Sequence, residues 1–70
     1  MPLTFCDSGI TVEIMAMRME ASEKRRLENL GFVIGRKLTP LIDRGGVMLV
    51  ALGSSRVALN KSVAQKILVK

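Results

Sequence analysis

Glycine turns divide the second half of the chain into short apolar segments, and this spacing restricts the fold more than any other feature. Gly45-Gly46 and Gly53-Ser54 stand on either side of the apolar run Val47–Leu52. Glycine adopts the positive φ that tight hairpin turns require, and an apolar run of this length between two turns is typical of a buried strand. The spacing therefore predicts three antiparallel strands joined by hairpins, at residues 36–42, Val47–Leu52 and residues 56–59.

A period-two pattern in the first half of the chain predicts another strand. Apolar side chains recur at every second position on the face that we expect to meet the core: Ile10, Val12, Ile14 and Ala16. The intervening positions form the opposite face: Thr11, Glu13, Met15 and Met17. This alternation is typical of a strand that covers a core with one face only.

A short helix is predicted from Ser22 to Leu30. Ser22 is a residue type that often caps a helix at its N-terminus, and Leu27 with Leu30 form an apolar pair three residues apart. Gly31 then occupies the left-handed position at which many helices end, and Phe32 follows it. We expect Gly31 to stop the helix and to direct Phe32 toward the core.

A single helical turn from Lys61 to Gln65 and a terminal strand complete the predicted elements. Asn60 can cap the helical turn, and the terminal strand contains the alternating Ile67 and Val69. The strand at residues 36–42 contains Pro40, which has no N–H for a sheet hydrogen bond. That strand is therefore expected to be an edge strand or to be bulged near Pro40.

These elements predict a mainly β fold, namely a small SH3-like five-stranded barrel with one inserted short helix, in a single domain over residues 1–70. Closing a sheet of short strands into a barrel removes exposed edges that would recruit other chains. A chain of 70 residues buries only about 60% of the surface that its unfolded form exposes, so little interior remains for a catalytic pocket. We therefore expect the function to lie on the surface.

The chain resembles the FeoA family in the order and spacing of its short motifs. They are the helix exit from Leu27 to Gly35, the strand Arg56-Val57-Ala58-Leu59, Ala64, and the terminal Ile67-Leu68-Val69. Ile34 stands where the family usually has a proline before the second glycine. The resemblance implies a cytoplasmic accessory protein of ferrous iron transport, with an SH3-like fold, that binds the cytosolic region of the membrane GTPase FeoB. The same module resembles the C-terminal domain of DtxR-type repressors.

The sequence lacks the residues of common catalytic and cofactor sites. It has no histidine, the commonest general base, and no G-x-x-x-x-G-K-[ST] phosphate loop. Cys6 is the only cysteine, so it cannot form an intramolecular disulfide, which agrees with a reducing compartment. We predict that the protein is not an enzyme, has no catalytic residue and no cofactor, and is cytoplasmic.

Met15, Met17 and Met19 alternate along the predicted first strand and are expected to share one face. Thioethers bind soft ions such as Cu(I) and are poor ligands for Fe(II). Methionine also fills irregular gaps in cores and forms adaptable docking surfaces. We favour packing or docking for this row, and a weak transition-metal contact without assigned ligands stays open.

A docking surface for a protein partner is expected where the predicted helix meets the barrel. The candidate partner-binding residues are Leu27, Leu30, Phe32, Arg25, Arg26, Met15 and Met17. The apolar members would supply binding energy, and the arginines, which belong to a net charge of +5, would speed the encounter with an acidic partner.

Two alternatives stay open at this point. The positive charge also fits nonspecific binding of nucleic acid, but Phe5 and Phe32 are the only aromatic residues. Because bases stack on aromatic side chains in most single-stranded nucleic-acid sites, nucleic acid is the disfavoured alternative. The other alternative is a metal-responsive interaction module of the DtxR C-terminal type.

Overall fold

The turns predicted at glycines join the strands of one antiparallel five-stranded sheet in the computed structural model, which describes all 70 residues. In chain order the elements are a 3-10 turn (Leu3–Phe5), β1 (Val12–Met17), α1 (Ala21–Asn29), β2 (Lys37–Arg44), β3 (Val47–Leu52), β4 (Ser55–Asn60), α2 (Lys61–Ala64) and β5 (Ile67–Val69). The strand order across the sheet is β4-β3-β2-β1-β5. The prediction of a mainly β fold with five strands, one inserted helix and a one-turn helix is confirmed.

The β2–β3 hairpin follows the sequence signals closely. Its turn is formed by Gly45 and Gly46, which both have positive φ, and β3 has the predicted bounds. β2 extends two residues further than predicted, to Arg44, and its pairing with β3 shifts register between Pro40 and Ile42. The bulge predicted at Pro40 is therefore confirmed.

The start of α1 differs from the prediction. The helix begins at Ala21, and its N-cap is Glu20 rather than Ser22. The chain stays extended through Glu20, whose carbonyl oxygen accepts the first helical hydrogen bond from the N–H of Lys24 at 2.9 Å. Ser22 thus lies within the first turn of the helix, where its side chain cannot act as the N-cap.

A β-bulge in β1 brings Met17 into the core. Ile14 pairs with Val69 and Ala16 with Leu68, so β1 has one residue more than β5 over the same stretch. The extra residue is Met15, and beyond it the inward face moves by one position. Met17 is only 6% exposed, whereas Met15 is 44% exposed.

Three expectations for this segment were therefore wrong. Met15, Met17 and Met19 do not share one face, because the bulge separates Met15 from Met17 and Met19 packs partly against the core. Ala16 is only half-buried, and Ile10 lies exposed before the strand begins. A strict period of two cannot describe a strand that contains one extra residue.

A single apolar cluster lies beneath the sheet and takes residues from every helix and strand. Its members are Leu3, Val12, Ile14, Met17, Leu27, Phe32, Leu38, Met48, Val50, Leu52, Leu59, Ala64, Ile67 and Val69. No polar or charged residue is buried. The helices are four and nine residues long, and neither has the length and apolar character of a membrane-spanning helix.

The bulge leads to a testable difference between two methionines of β1. Met17→Ala should lower the free energy of unfolding by about 2–4 kcal/mol, because it removes a buried side chain and leaves a cavity. Met15→Ala should lower it by less than about 1 kcal/mol, since Met15 is 44% exposed and its truncation leaves no enclosed cavity. Urea unfolding of both variants gives the comparison, and equal losses would contradict the bulged register.

Candidate docking surface at the helix exit

The end of α1 is closed by a Schellman motif centred on Gly31. The N–H of Phe32 donates to the carbonyl oxygen of Leu27 at 3.0 Å, and the N–H of Gly31 donates to that of Glu28 at 2.9 Å. Gly31 has a φ of +104°. In this motif the residue after the glycine packs against the last turn of the helix. Phe32 and Leu27 are accordingly both buried, which confirms the role expected for Gly31.

A second turn follows directly and attaches the helix exit to β1. The N–H of Arg36 donates to the carbonyl oxygen of Val33 at 3.0 Å, and Gly35 has a φ of +91°. These features define a type II turn with Ile34 at its second position. The N–H of Gly35 donates to the carbonyl oxygen of Ile14 at 2.8 Å, so this turn is held on the strand.

Four exposed apolar side chains surround these two turns: Met15, Leu30, Val33 and Ile34. Leu30 is 52% exposed and Ile34 is 62% exposed. The N–H of Ile14 donates to the carbonyl oxygen of Arg36 at 2.9 Å, and one further step of this antiparallel pairing places Met15 opposite Gly35, the residue that follows Ile34. We call these four residues the helix-exit patch.

The residues predicted to bind a partner fall into two groups. Leu27, Phe32 and Met17 are buried in the core. The other four are exposed: Leu30 and Met15 in the helix-exit patch, and Arg25 and Arg26 on α1. A partner contact by any of the seven stays a prediction.

Val33, Ile34 and Arg36 were not among the residues predicted from the sequence to bind a partner. The available signal was the segment Val33-Ile34-Gly35, in which glycine at the third position of a type II turn leaves the preceding residue at an outer corner. An apolar residue at that corner is exposed by the turn geometry itself.

The side chain of Arg36 extends from the second turn into a space between two glycines. Its Nη1 lies 3.6 Å from the position that a Cβ would take at Gly31, and its Nη2 lies 2.8 Å from the corresponding position at Gly53. Gly31 belongs to the helix exit and Gly53 to the β3–β4 turn. The guanidinium group therefore lies between two loops that are distant in sequence.

Three of the lysines form ion pairs, whereas the arginines form none. The three ion pairs are Lys61–Asp43 at 3.2 Å, Lys66–Glu23 at 3.4 Å and Lys70–Glu13 at 3.9 Å. None of the six arginines takes part in an ion pair or a side-chain hydrogen bond. Exposed pairs such as these contribute about 1 kcal/mol or less. Their effect is to leave the uncompensated positive charge mainly on arginine.

Cys6 and the acidic residues form no separate site. Burial raises the pKa of the Cys6 thiol, so the protonated form predominates at neutral pH. No group of three or more His, Cys, Asp or Glu side chains converges anywhere in the structure. A shallow pocket of about 280 Å³ is lined by Thr11, Val12, Glu13, Lys37 and Lys70.

The fold and this surface define a small β domain that presents apolar side chains beside unpaired arginines. The family model of the FeoA domain matches residues 1–70. The chain belongs to the FeoA family. This confirms the resemblance drawn from the helix exit and the C-terminal strands.

The relatives agree with this assignment. A protein of Methanocaldococcus jannaschii provisionally named Fe(2+) transport protein A is 28% identical over 69 residues, which are 99% of this chain and 84% of the relative. FeoA of Stenotrophomonas maltophilia, solved in complex with zinc and described as a prokaryotic SH3 domain protein, is 28% identical with a TM-score of 0.80. The match covers 100% of this chain and 89% of that one. The predicted SH3-like fold is confirmed.

Two further structures share the fold. Iron(II) transport protein A of Clostridium thermocellum is 22% identical with a TM-score of 0.92, and this chain, covered completely, spans 44% of its length. A manganese-dependent transcriptional repressor is 26% identical with a TM-score of 0.86, over 96% of this chain and 39% of the repressor. The second likeness confirms the resemblance to a domain of metal-dependent repressors.

The helix exit leads to a prediction about two glycines with positive φ. Gly31→Ala and Gly35→Ala should each cost about 1–2 kcal/mol, because an alanine is strained in the left-handed region. Gly31→Ala should cost more, since its Cβ would lie 3.1 Å from Cδ2 of the buried Leu52, whereas a Cβ at Gly35 meets nothing within 4 Å. Urea unfolding measures both, and an equal or smaller loss for Gly31→Ala would contradict the packing described here.

The type II turn leads to the opposite prediction for Ile34. Ile34→Pro should raise the free energy of unfolding by about 0.4–1 kcal/mol, because proline fits the second position of this turn and restricts the unfolded chain. The N–H of Ile34 donates to no backbone acceptor, so no hydrogen bond is lost. Ile34→Ala is the matched control and should give no gain. A destabilised Ile34→Pro variant would show that the turn is of another type.

Proposed function

We propose that this chain is an accessory protein of ferrous iron transport that binds the cytosolic region of a FeoB-type membrane GTPase. The observation that carries the proposal is the helix-exit patch, in which four apolar side chains are exposed around two rigid turns. Apolar side chains that cluster in this way mark interaction sites more often than singly scattered ones. Membership of the FeoA family and the names of the relatives support iron transport as the process.

We propose that the protein acts by docking and not by catalysis. The patch is built on backbone hydrogen bonds of the helix exit and the type II turn, so its shape exists before the partner arrives. A preformed surface loses little conformational entropy on binding, which favours affinity. We further propose that residues 1–70 act as one domain in the cytoplasm, where the GTPase region of such a transporter lies.

The unpaired arginines would steer the encounter. Arg25 and Arg26 are exposed on α1 and take part in no ion pair. Charges at the rim of an interface raise the association rate at low salt, while the apolar centre determines how long the complex lasts. The partner surface is accordingly expected to combine acidic and apolar residues.

A second candidate function is an interaction module like that of metal-dependent repressors. The likeness to the manganese-dependent repressor favours it. The helix-exit patch would then dock against another part of such an assembly. We place this candidate second because the relative with the greater shared length, from Methanocaldococcus jannaschii, is named for Fe(2+) transport.

Replacement of Leu30 tests the patch as the docking surface. Leu30→Ser should weaken binding to the cytosolic domain of a FeoB-type transporter from the same organism by about fivefold or more, because it removes an apolar contact from the centre of the interface. Isothermal titration calorimetry at low salt gives the dissociation constants. The change should leave stability nearly unaltered, since the side chain is half in water.

Ile42→Ser is the matched control for this measurement. Ile42 is 49% exposed, close to the 52% of Leu30, and it lies six residues along β2 from Arg36. That separation corresponds to about 20 Å along a strand. The control should bind like the unaltered protein. Equal weakening by both changes would contradict the patch, and absence of binding by the unaltered protein would contradict the choice of partner.

A further inference from the structure

Arg36 stands out among the charged residues because its guanidinium group lies beside two glycines. The residue is exposed, and a Cβ at Gly53 would crowd Nη2, whereas a Cβ at Gly31 would be in ordinary contact with Nη1. Both glycines have positive φ, +104° and +62°, so turn geometry excludes most other residues there. The same turns that shape the helix exit thus keep this space open for one arginine.

The hydrogen-bond donors of this guanidinium have no partner within the molecule. Arg36 takes part in no ion pair and no side-chain hydrogen bond. Glu28, the carboxylate nearest in sequence on α1, forms no ion pair with it. A guanidinium group presents a planar fork of N–H donors that matches the two oxygens of a carboxylate.

Arg36 also lies at the border of the helix-exit patch. It is the last residue of the turn that presents Val33 and Ile34, and its Nη1 approaches Gly31, which directly follows Leu30. An apolar segment that covers the patch would also exclude water from one side of the guanidinium. Charge-assisted hydrogen bonds gain strength as water is removed from them.

We propose that Arg36 binds a carboxylate of the docking partner, carried on an apolar segment that covers the helix-exit patch. This inference rests on the proposed docking function and adds the chemistry of the partner: an Asp or Glu flanked by apolar residues. The net charge of +5 and the six unpaired arginines supply the complementary charge. The apolar neighbours of Arg36 select a protein segment, because they offer nothing to a phosphate backbone.

The first experiment compares arginine variants in binding to the same cytosolic transporter domain. Arg36→Gln should weaken binding about tenfold or more, because it removes a charged, partly desolvated contact. Arg44→Gln is the matched control: Arg44 is exposed, unpaired and located at the β2–β3 hairpin, so the same loss of net charge should change affinity less than about twofold. Equal effects of the two variants would overturn the proposal.

Arg36→Lys separates geometry from charge in that assay. Lysine keeps the charge but lacks the planar fork, so most of the loss seen with Arg36→Gln should persist. Full affinity with lysine would overturn the paired contact with a carboxylate. Urea unfolding of each variant should give an unchanged midpoint, because Arg36 stabilises no ion pair within the molecule.

The second experiment needs no protein partner and therefore separates this inference from the proposed function. The probe is 4-methylpentanoate, which joins a carboxylate to an apolar tail, and its neutral control is 4-methylpentanamide. NMR titration should show saturable shifts of the Arg36 Nε–H signal and of the Leu30 and Ile34 methyl signals with the carboxylate only. In Arg36→Gln, which lacks this Nε–H group, the shifts of the Leu30 and Ile34 methyl signals should be lost.

The two experiments together show whether the proposed partner or the proposed carboxylate site is wrong. Saturable shifts with 4-methylpentanoate and no binding to the transporter domain would contradict the proposed partner and support the carboxylate site. Equal shifts with the amide, or no shift at Arg36 with the carboxylate, would overturn the site even if the transporter domain binds.

Discussion

The left-handed turn at Gly31 is the constraint on which the helix exit depends. It reverses the chain after α1 so that Phe32 enters the core within two residues of Leu30, which stays outside. The hydrogen bond from Phe32 to Leu27 fixes this reversal. Burial of one apolar residue and exposure of its neighbours are therefore two results of a single backbone conformation. A residue with a Cβ at Gly31 would strain that conformation and would press on Leu52.

The proposed docking surface follows from the same backbone geometry. The type II turn at Gly35 holds Val33 and Ile34 at an outer corner and attaches them to β1, where Met15 lies on the outer face. Gly31 and Gly53 leave room for the guanidinium of Arg36 at the border of this apolar patch. A chain of 70 residues thus obtains a preformed surface of mixed apolar and basic character without any buried polar site.

Local sequence signals predicted those parts of the fold that local chemistry decides. Three such features each depend on the backbone conformation that one glycine or proline allows. They are the hairpin at Gly45, the bulge at Pro40 and the helix exit at Gly31. The bulge at Met15 could not be read from alternation, because one inserted residue leaves no signature until the partner strand is known. The position of the Arg36 guanidinium group could not be predicted for a similar reason, since the space it occupies is formed partly by Gly53 of a distant turn.

We propose that the helix exit is where the cytosolic domain of a FeoB-type transporter binds. Amide NMR spectra of the labelled protein, recorded during addition of that unlabelled domain, measure this binding residue by residue. The signals of Leu30, Val33, Gly35, Arg36 and Gly53 should shift or broaden first. Changes centred instead on Phe5, Ile10 and Ile42, which are exposed apolar residues outside the patch, would contradict it.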